Sequence, residues 1–169
     1  LGIYPPYYWP DKRPYIKPYS TSLMDEEIVV FCHEEIANKK EYKNYPQDYY
    51  GYTIGINRGY LSPGKKFFKA VEEKKITLEE SSTAHGNLLK LIHKRIDCYI
   101  NEKITTYWEL KNLRIKGKYN LKSDPKIKIT SIVAKNPTHI GYTNMDNGEF
   151  GFKADFVKQV DIILNNIDY

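Results

Sequence analysis

Between residues 51 and 112, short apolar runs alternate with stretches of helical periodicity, and this alternation constrains the fold more than any other feature of the sequence. The pattern predicts strands over 52–57, 76–78 and 96–100 and helices over 65–73, 85–94 and 102–112. Because strand and helix follow each other through short connections, the segment is expected to form an α/β domain with a mainly parallel sheet.

The flanking segments carry further elements of the same kind. Residues 28–33 read IVVFCH, which is typical of a short strand buried on both faces. Residues 127–133 alternate apolar and polar side chains and predict another strand, and 139–143 predict a shorter one. Near the end of the chain an amphipathic helix is predicted from apolar residues at helical spacing, namely Phe156, Val160, Ile163, Leu164 and Ile167.

Charge and hydropathy exclude two classes of protein. The net charge is +5, but the densest lysine clusters are pairs set among acidic residues, at 39–40, 65–66 and 74–75. A nucleic-acid-binding domain usually concentrates its basic residues on one face, so this function is not expected. No run approaches the roughly 18 to 20 apolar residues that cross a bilayer, so no transmembrane helix is predicted.

The cysteines and histidines give no sign of a metal site. Cys32 and Cys98 lie in separate apolar runs. A disulfide between them is possible in an oxidising compartment. Two buried free thiols are the favoured interpretation. The four histidines stand apart from each other, there is no CxxC motif or Cys/His cluster, and no metal or other cofactor is predicted.

Three places in the sequence offer partners for a small charged ligand. Arg13 lies in a Pro-rich loop, and a guanidinium can form two parallel, charge-assisted bonds with a carboxylate. Residues 57–60 form a Gly-containing turn between a predicted strand and helix, where backbone N–H groups can face an anion. Glu102 follows the predicted strand 96–100, at the edge where open α/β sheets bind ligands, and its carboxylate suits an ammonium group.

The order of three sequence stretches resembles that of the family 3 extracellular solute-binding proteins, the polar amino-acid receptors of ABC transporters. The stretches are RPYIKPYS at 13–20, GYTIGINRGY at 51–60 and NLLKLIHKRIDCYIN at 87–101. The resemblance implies a type II periplasmic-binding-protein fold, α/β in class, with two lobes that each contain a mostly parallel sheet. Since the chain opens without Met or a signal peptide, lobe 1 is expected to be incomplete.

The resemblance also assigns ligand-binding residues. In that family an Arg seven residues before a Ser binds the substrate carboxylate, which implies this role for Arg13. The turn after the first strand of lobe 2 adds bonds to the same carboxylate, which carries over to Asn57, Arg58, Gly59 and Tyr60. The acidic residue after the later strand, usually Asp in the family, receives the ammonium group, which carries over to Glu102. Tyr4 joins the expected ligand-binding set; tyrosine combines an apolar face with a polar tip, which suits a binding cleft.

The resemblance divides the chain and implies a function. Residues 1–50 are expected to form the end of lobe 1 and a crossover, 51–126 lobe 2, and 127–169 the return crossover with the closing strand and helix of lobe 1. The implied protein is the substrate-binding component of an ABC transporter. It would be a periplasmic monomer that captures a small zwitterion such as a polar amino acid and delivers it to an ABC permease. The alternative is a ligand-sensing input domain of a signalling receptor with the same fold; an enzyme is not expected.

Overall fold

A computed structural model of the chain describes residues 2–3, 7–144 and 151–167. The strands are β1 (Gly2–Ile3), β2 (Ile16–Tyr19), β3 (Met24–His33), β4 (Thr53–Asn57), β5 (Thr77–Ser81), β6 (Cys98–Glu102), β7 (Ile127–Thr138) and β8 (Gly141–Thr143). The helices are α1 (Glu34–Ala37), α2 (Lys65–Glu72), α3 (Ala84–Ile92), α4 (Lys103–Ile115) and α5 (Lys153–Asn165), with a 3-10 turn at Gln47–Tyr49. In the part of the chain that the structure describes, no helix is both long enough and apolar enough to cross a membrane.

The chain divides into two compact units. Unit 2 is the continuous segment Glu27–Lys135, and unit 1 comprises the described residues of Leu1–Glu26 and Asn136–Tyr169. The boundaries therefore fall nine residues or more from those predicted at 50 and 126. The reason is that β3 and most of β7 are hydrogen-bonded into the sheet of unit 2, although the sequence stretch between β3 and β4 resembles a linker.

Unit 2 is built around a five-stranded mixed sheet with the order β5-β4-β6-β3-β7. β4 pairs in parallel with both β5 and β6, as the alternation of strand and helix predicts. β3 instead runs antiparallel to β6, with Ile28 opposite Glu102 and Cys32 opposite Cys98. The fold class is α/β, as predicted, with an antiparallel strand added to the parallel segment.

Each face of this sheet carries its own apolar core, because successive strand residues point to opposite faces. On one face, Ile54 and Ile56 of β4 pack with Phe67 of α2. On the other face, Phe31 of β3 packs with Leu88 of α3 and Leu113 of α4. Burying apolar surface on both faces is the main favourable contribution to the stability of such a sheet.

Cys32 and Cys98 form a disulfide, which overturns the expectation of two free thiols. The two residues are directly opposite each other on the antiparallel strands β3 and β6, with 4.1 Å between their Cα atoms. A cross-strand pair of this kind brings two side chains on the same face within bonding reach. The sequence shows that both runs are apolar strands, but it does not show that they are neighbours in antiparallel register.

Unit 1 contains the three-stranded sheet β1-β8-β2 and helix α5. β8 pairs antiparallel with β1 and with β2, so the expectation of a mostly parallel sheet in this part of the chain is wrong for the described strands. The predicted C-terminal helix is confirmed as α5, and its Phe156 ring packs edge-on against Tyr142 of β8 with 6.2 Å between centroids. Asp161 of α5 also accepts a 2.9 Å hydrogen bond from the backbone N–H of Thr21.

Candidate functional site

The carboxyl ends of the parallel strands of unit 2 bring polar side chains together. β4 ends at Asn57 and β6 ends at Glu102. Five neighbouring side chains form a hydrogen-bonded group, called here the amide cluster: Asn57, Asn87, Tyr99, Asn101 and Thr106. Two of the predicted site residues, Asn57 and Glu102, therefore lie at the same edge of one sheet.

Asn57 is the centre of the amide cluster. Its Oδ1 accepts hydrogen bonds of 3.0 Å from Asn87 Nδ2 and 3.0 Å from Tyr99 Oη. Its Nδ2 donates to Asn101 Oδ1 at 3.4 Å. Burial raises the pKa of Tyr99 above its ordinary value, so the phenol stays protonated and keeps its donor role at neutral pH. The amide of Asn57 is thus held in one orientation by three neighbours.

The second half of the cluster connects to helix α4. Asn101 Nδ2 donates to Thr106 Oγ1 at 3.0 Å, and the Thr106 hydroxyl donates to the carbonyl oxygen of Glu102 at 2.6 Å. Asn101 is 4% exposed and Thr106 is fully buried. Buried polar groups that are bonded in this way fix a single arrangement of the strand end and the helix that follows it.

Glu102 is the N-cap of α4. Its Oε1 accepts a 2.7 Å hydrogen bond from the backbone N–H of Ile104, and its Oε2 accepts from the N–H of Thr105. The residue is 8% exposed. Each carboxylate oxygen can accept more than one hydrogen bond, so a capping carboxylate keeps capacity for an ammonium group. Capping is a structural role that the sequence comparison with the receptor family did not assign.

Residues 57–60 form a β-turn, as predicted for this Gly-containing stretch. The N–H of Tyr60 donates to the carbonyl oxygen of Asn57 at 3.0 Å, and Gly59 takes the positive φ of 74° that suits the third position of such a turn. The N–H of Arg58 donates to the carbonyl oxygen of Ser81 at 2.9 Å. Since these two amides are bonded within the protein, contacts from this turn to a carboxylate would come from Gly59 and from the exposed side chain of Arg58.

Arg13 belongs to unit 1. It lines a cleft of about 410 Å³ together with Tyr15, Thr143 and the ends of the three-stranded sheet. Its guanidinium carbon lies 5.5 Å from the centroid of the Trp9 ring, a distance at which a cation and an aromatic face attract each other. The loop is closed by a 2.9 Å bond from the N–H of Arg13 to the carbonyl oxygen of Trp9. Tyr4 lies outside the described residues.

Sequence reasoning did not assign to the site the three residues that hold Asn57, namely Asn87, Tyr99 and Asn101. Asn87 is fully buried on the apolar side of α3, between residues that pack into the core. Tyr99 is fully buried in β6. An amide within the apolar face of a predicted helix is a signal that the sequence does contain, because buried polar groups need hydrogen-bonding partners. Which partners they meet depends on the packing of α3 over β4.

The structure was compared with proteins of known structure. The second substrate binding domain of GlnP from Lactococcus lactis, in its open conformation, superposes with a TM-score of 0.62 at 13% identity over 98% of this chain and 60% of that chain. An ancestral arginine-binding protein bound to arginine gives a TM-score of 0.55 at 12% identity over 94% of this chain and 61% of that chain. The chain has the fold of the substrate-binding proteins.

A third similar structure with this fold comes from a sensor. The periplasmic domain of BvgS from B. pertussis gives a TM-score of 0.58 at 11% identity over 94% of this chain and 26% of that chain. No known protein-family profile and no curated protein matches the sequence. The chain spans less than two thirds of the length of the substrate-binding proteins that it resembles, with 60% for GlnP and 61% for the ancestral protein.

Proposed function

We propose that this chain is part of a substrate-binding protein that captures a small zwitterion, such as a polar amino acid. The observation that carries the proposal is the oriented amide cluster at the carboxyl ends of the parallel strands β4 and β6, where β6 ends at Glu102 and the Thr106 hydroxyl bonds to the Glu102 carbonyl oxygen. Ligands of open α/β sheets bind at this edge. The fold supports it as well, because it is shared with a protein that binds arginine.

The proposed site distributes opposite charges over the ligand. On unit 2, Glu102 receives the ammonium group, and the turn residues Asn57, Arg58, Gly59 and Tyr60 contact the carboxylate. On unit 1, Arg13 is a carboxylate partner, and Tyr4 stays in the predicted ligand-binding set. A desolvated zwitterion needs partners of both signs, since burying an unpaired charge is costly. Capture by hinged closure of two lobes is the motion expected of this fold.

We assign the protein to an ABC transporter as its periplasmic, monomeric binding component that delivers the ligand to a permease without a cofactor. Binding is favoured over catalysis because both oxygens of Glu102 accept hydrogen bonds from the backbone amides of α4, so this carboxylate serves as the N-cap of the helix. His85, which an enzyme on this scaffold would need as an acid or base, is hydrogen-bonded to Glu109 at 2.7 Å.

A ligand-sensing input domain is the second candidate, favoured by the similarity to the BvgS periplasmic domain. The two roles differ in what the loaded protein acts on. Reconstitution with the permease encoded nearest to it should stimulate ligand uptake if the protein serves transport. A receptor would instead change the activity of its own signalling domain when the ligand is added.

The binding proposal is tested by thermal denaturation of the full-length protein with each of the common amino acids. A bound ligand stabilises the folded state by about 2.7 kcal/mol at a concentration one hundred times its Kd, which raises the melting temperature by several degrees. If no zwitterion changes the melting temperature, the proposal is wrong.

Two substitutions of Glu102 separate ligand binding from helix capping. Both Asp and Asn are good N-caps, so Glu102→Asp and Glu102→Asn should each change the free energy of unfolding by less than about 1 kcal/mol. Only Asn lacks the negative charge, so calorimetry should show at least a tenfold loss of affinity for Glu102→Asn and a smaller loss for Glu102→Asp. Equal affinities for the two variants would contradict the ammonium contact while leaving the capping role intact.

A further inference from the structure

The excess positive charge of the chain is concentrated in one segment. Residues 103–122 contain six Lys or Arg residues and one Glu, a net charge of +5, which equals the net charge of the whole chain. The other residues are therefore balanced. The basic residues of the segment are Lys103, Lys111, Arg114, Lys116, Lys118 and Lys122. They are spaced along the helix and the loop after it, so a search for adjacent lysines does not find them.

Helix α4 has a second apolar face that points away from the core. Its inner face consists of Thr106, Leu110 and Leu113, which are buried. The opposite face carries an outer stripe, defined here as Ile104, Trp108, Lys111 and Ile115. At 3.6 residues per turn these four positions fall within about 60° of arc.

The outer stripe is open to solvent. Ile104 is 55% exposed, Trp108 62% and Ile115 73%. Single exposed apolar residues are common, but three in one line on a helix whose other face is already packed form a patch of the kind that marks an interaction site.

Lys111 of the stripe and the basic side chains next to it are available to a partner. Lys103 is paired with Glu27 at 2.6 Å, and Glu109, the acidic residue of the segment, is paired with His85 on another side of the helix. Within the described residues, Lys111, Arg114, Lys116 and Lys118 form no salt bridge. They are exposed, so their charge faces solvent.

We propose that the outer stripe and these four basic side chains bind the surface of an anionic lipid bilayer. A helix face with Trp and aliphatic residues flanked by Lys and Arg is suited to the boundary between headgroups and acyl chains. Anionic lipids complement the local charge, with a gain of about fivefold in affinity for each basic side chain at the surface. A nucleic-acid duplex would pair with the cations but would leave the aliphatic side chains in water. An anionic bilayer complements both the basic and the apolar side chains.

The first test is flotation of the full chain with vesicles of phosphatidylcholine alone or mixed with an equal part of phosphatidylglycerol. Binding is expected with the anionic vesicles and should weaken as salt is raised, because exposed charges are screened. In a Trp9→Phe background, Trp108 is the remaining tryptophan, and its emission should shift to shorter wavelength on binding. Equal binding to both vesicle types, or binding to a DNA duplex and to neither vesicle, would overturn the proposal.

Substitutions test whether vesicle binding depends on the outer stripe and the four basic side chains. Lys111→Gln combined with Arg114→Gln should lower partitioning at least tenfold. Trp108→Ser combined with Ile115→Ser should have a similar effect, and the exposure of all four positions leaves the fold intact, which circular dichroism can verify. The matched control is Lys65→Gln with Lys66→Gln, two exposed lysines on α2 of the same unit, which should partition like the wild type. If the control loses as much binding as the patch variants, net charge and not this surface is responsible.

Discussion

At the scale of single residues, Gly55 allows the amide cluster to form. A Cβ atom at this position would lie 2.6 Å from Ile96 Cδ1 and 3.0 Å from Asn87 Oδ1, closer than side chains normally approach. The absence of a side chain lets Asn87 reach the backbone of β4, where its Nδ2 donates to the carbonyl oxygen of Ile56 at 2.9 Å. The same nitrogen donates to Asn57, so the candidate site depends on this glycine.

Gly55→Ala is therefore expected to destabilise the protein by about 1–3 kcal/mol, because the added methyl group must push aside packed neighbours. Urea unfolding measures the change. Gly151→Ala is the matched control, since a Cβ there meets no described atom within 4 Å, and it should change the free energy of unfolding by less than about 0.5 kcal/mol. Similar losses in both variants would show that the packing around Asn87 is not the cause.

Glu27 makes stability depend on pH. Hydrogen bonds from Lys103 and Lys135, at 2.6 Å and 2.9 Å, hold the pKa of this carboxyl below its ordinary value of 4.5. A carboxyl whose pKa is lowered by folding stabilises the protein above its unfolded pKa and loses that contribution as pH falls through the folded pKa. The melting temperature should therefore decrease as the pH is lowered below about 4.5.

Substitution of Glu27 shows whether this carboxyl causes the pH dependence of the melting temperature. Glu27→Gln should melt at a lower temperature than the wild type at pH 7, and the difference should shrink as the pH falls below 4.5. Glu72→Gln is the control, because Glu72 is exposed on α2 and forms no salt bridge with the residues described in the structure. A difference between Glu27→Gln and the wild type that stays constant from pH 7 to 3 would rule out the titration of Glu27 as its source.

At the scale of elements, the disulfide joins β3 to β6 across 66 residues of sequence. A crosslink that closes a loop of this length typically stabilises a domain by about 2–4 kcal/mol. We expect Cys32→Ala combined with Cys98→Ala to lower the free energy of unfolding by this amount, measured with urea under non-reducing conditions. Wild-type protein denatured without a reductant should react with no equivalent of a thiol reagent, and two reactive thiols per chain would contradict the crosslink.

The positions of the strands and helices were predicted better than the pairing of the strands. The structure has a strand or a helix at each position where the periodicity predicts one between residues 51 and 112. These features depend on neighbouring residues. The position of β3 beside β6 depends on contacts between residues about 70 positions apart, which local periodicity does not encode.

At the scale of the whole molecule, the two units differ in how much core they hold. Both apolar clusters of the described residues lie within Glu27–Lys135, and this segment is continuous in sequence. Helix α5 of unit 1 buries none of its residues fully. Unit 2 therefore has the properties of an independently folding domain.

A fragment comprising residues 27–135 should fold by itself. It keeps all five strands of the mixed sheet, with β3 and β7 shortened at one end, and it keeps both cysteines. Circular dichroism and urea denaturation should show a mixed α/β spectrum and one cooperative transition. A fragment that unfolds without cooperativity would mean that unit 1 is needed to complete the core of unit 2.

The sequence by itself determined the α/β class, the strand–helix order of residues 51–112, the C-terminal amphipathic helix and the presence of Asn57 and Glu102 at strand ends, because periodicity and turn chemistry act over a few residues. Only the tertiary structure decided that Cys32 meets Cys98, that Glu102 caps α4 and that Asn87 holds Asn57. It also decided that the unit boundary falls within β3, between Glu26 and Glu27. These results depend on which strands become neighbours and in which direction, and that choice is made by the packing of distant segments around a shared core.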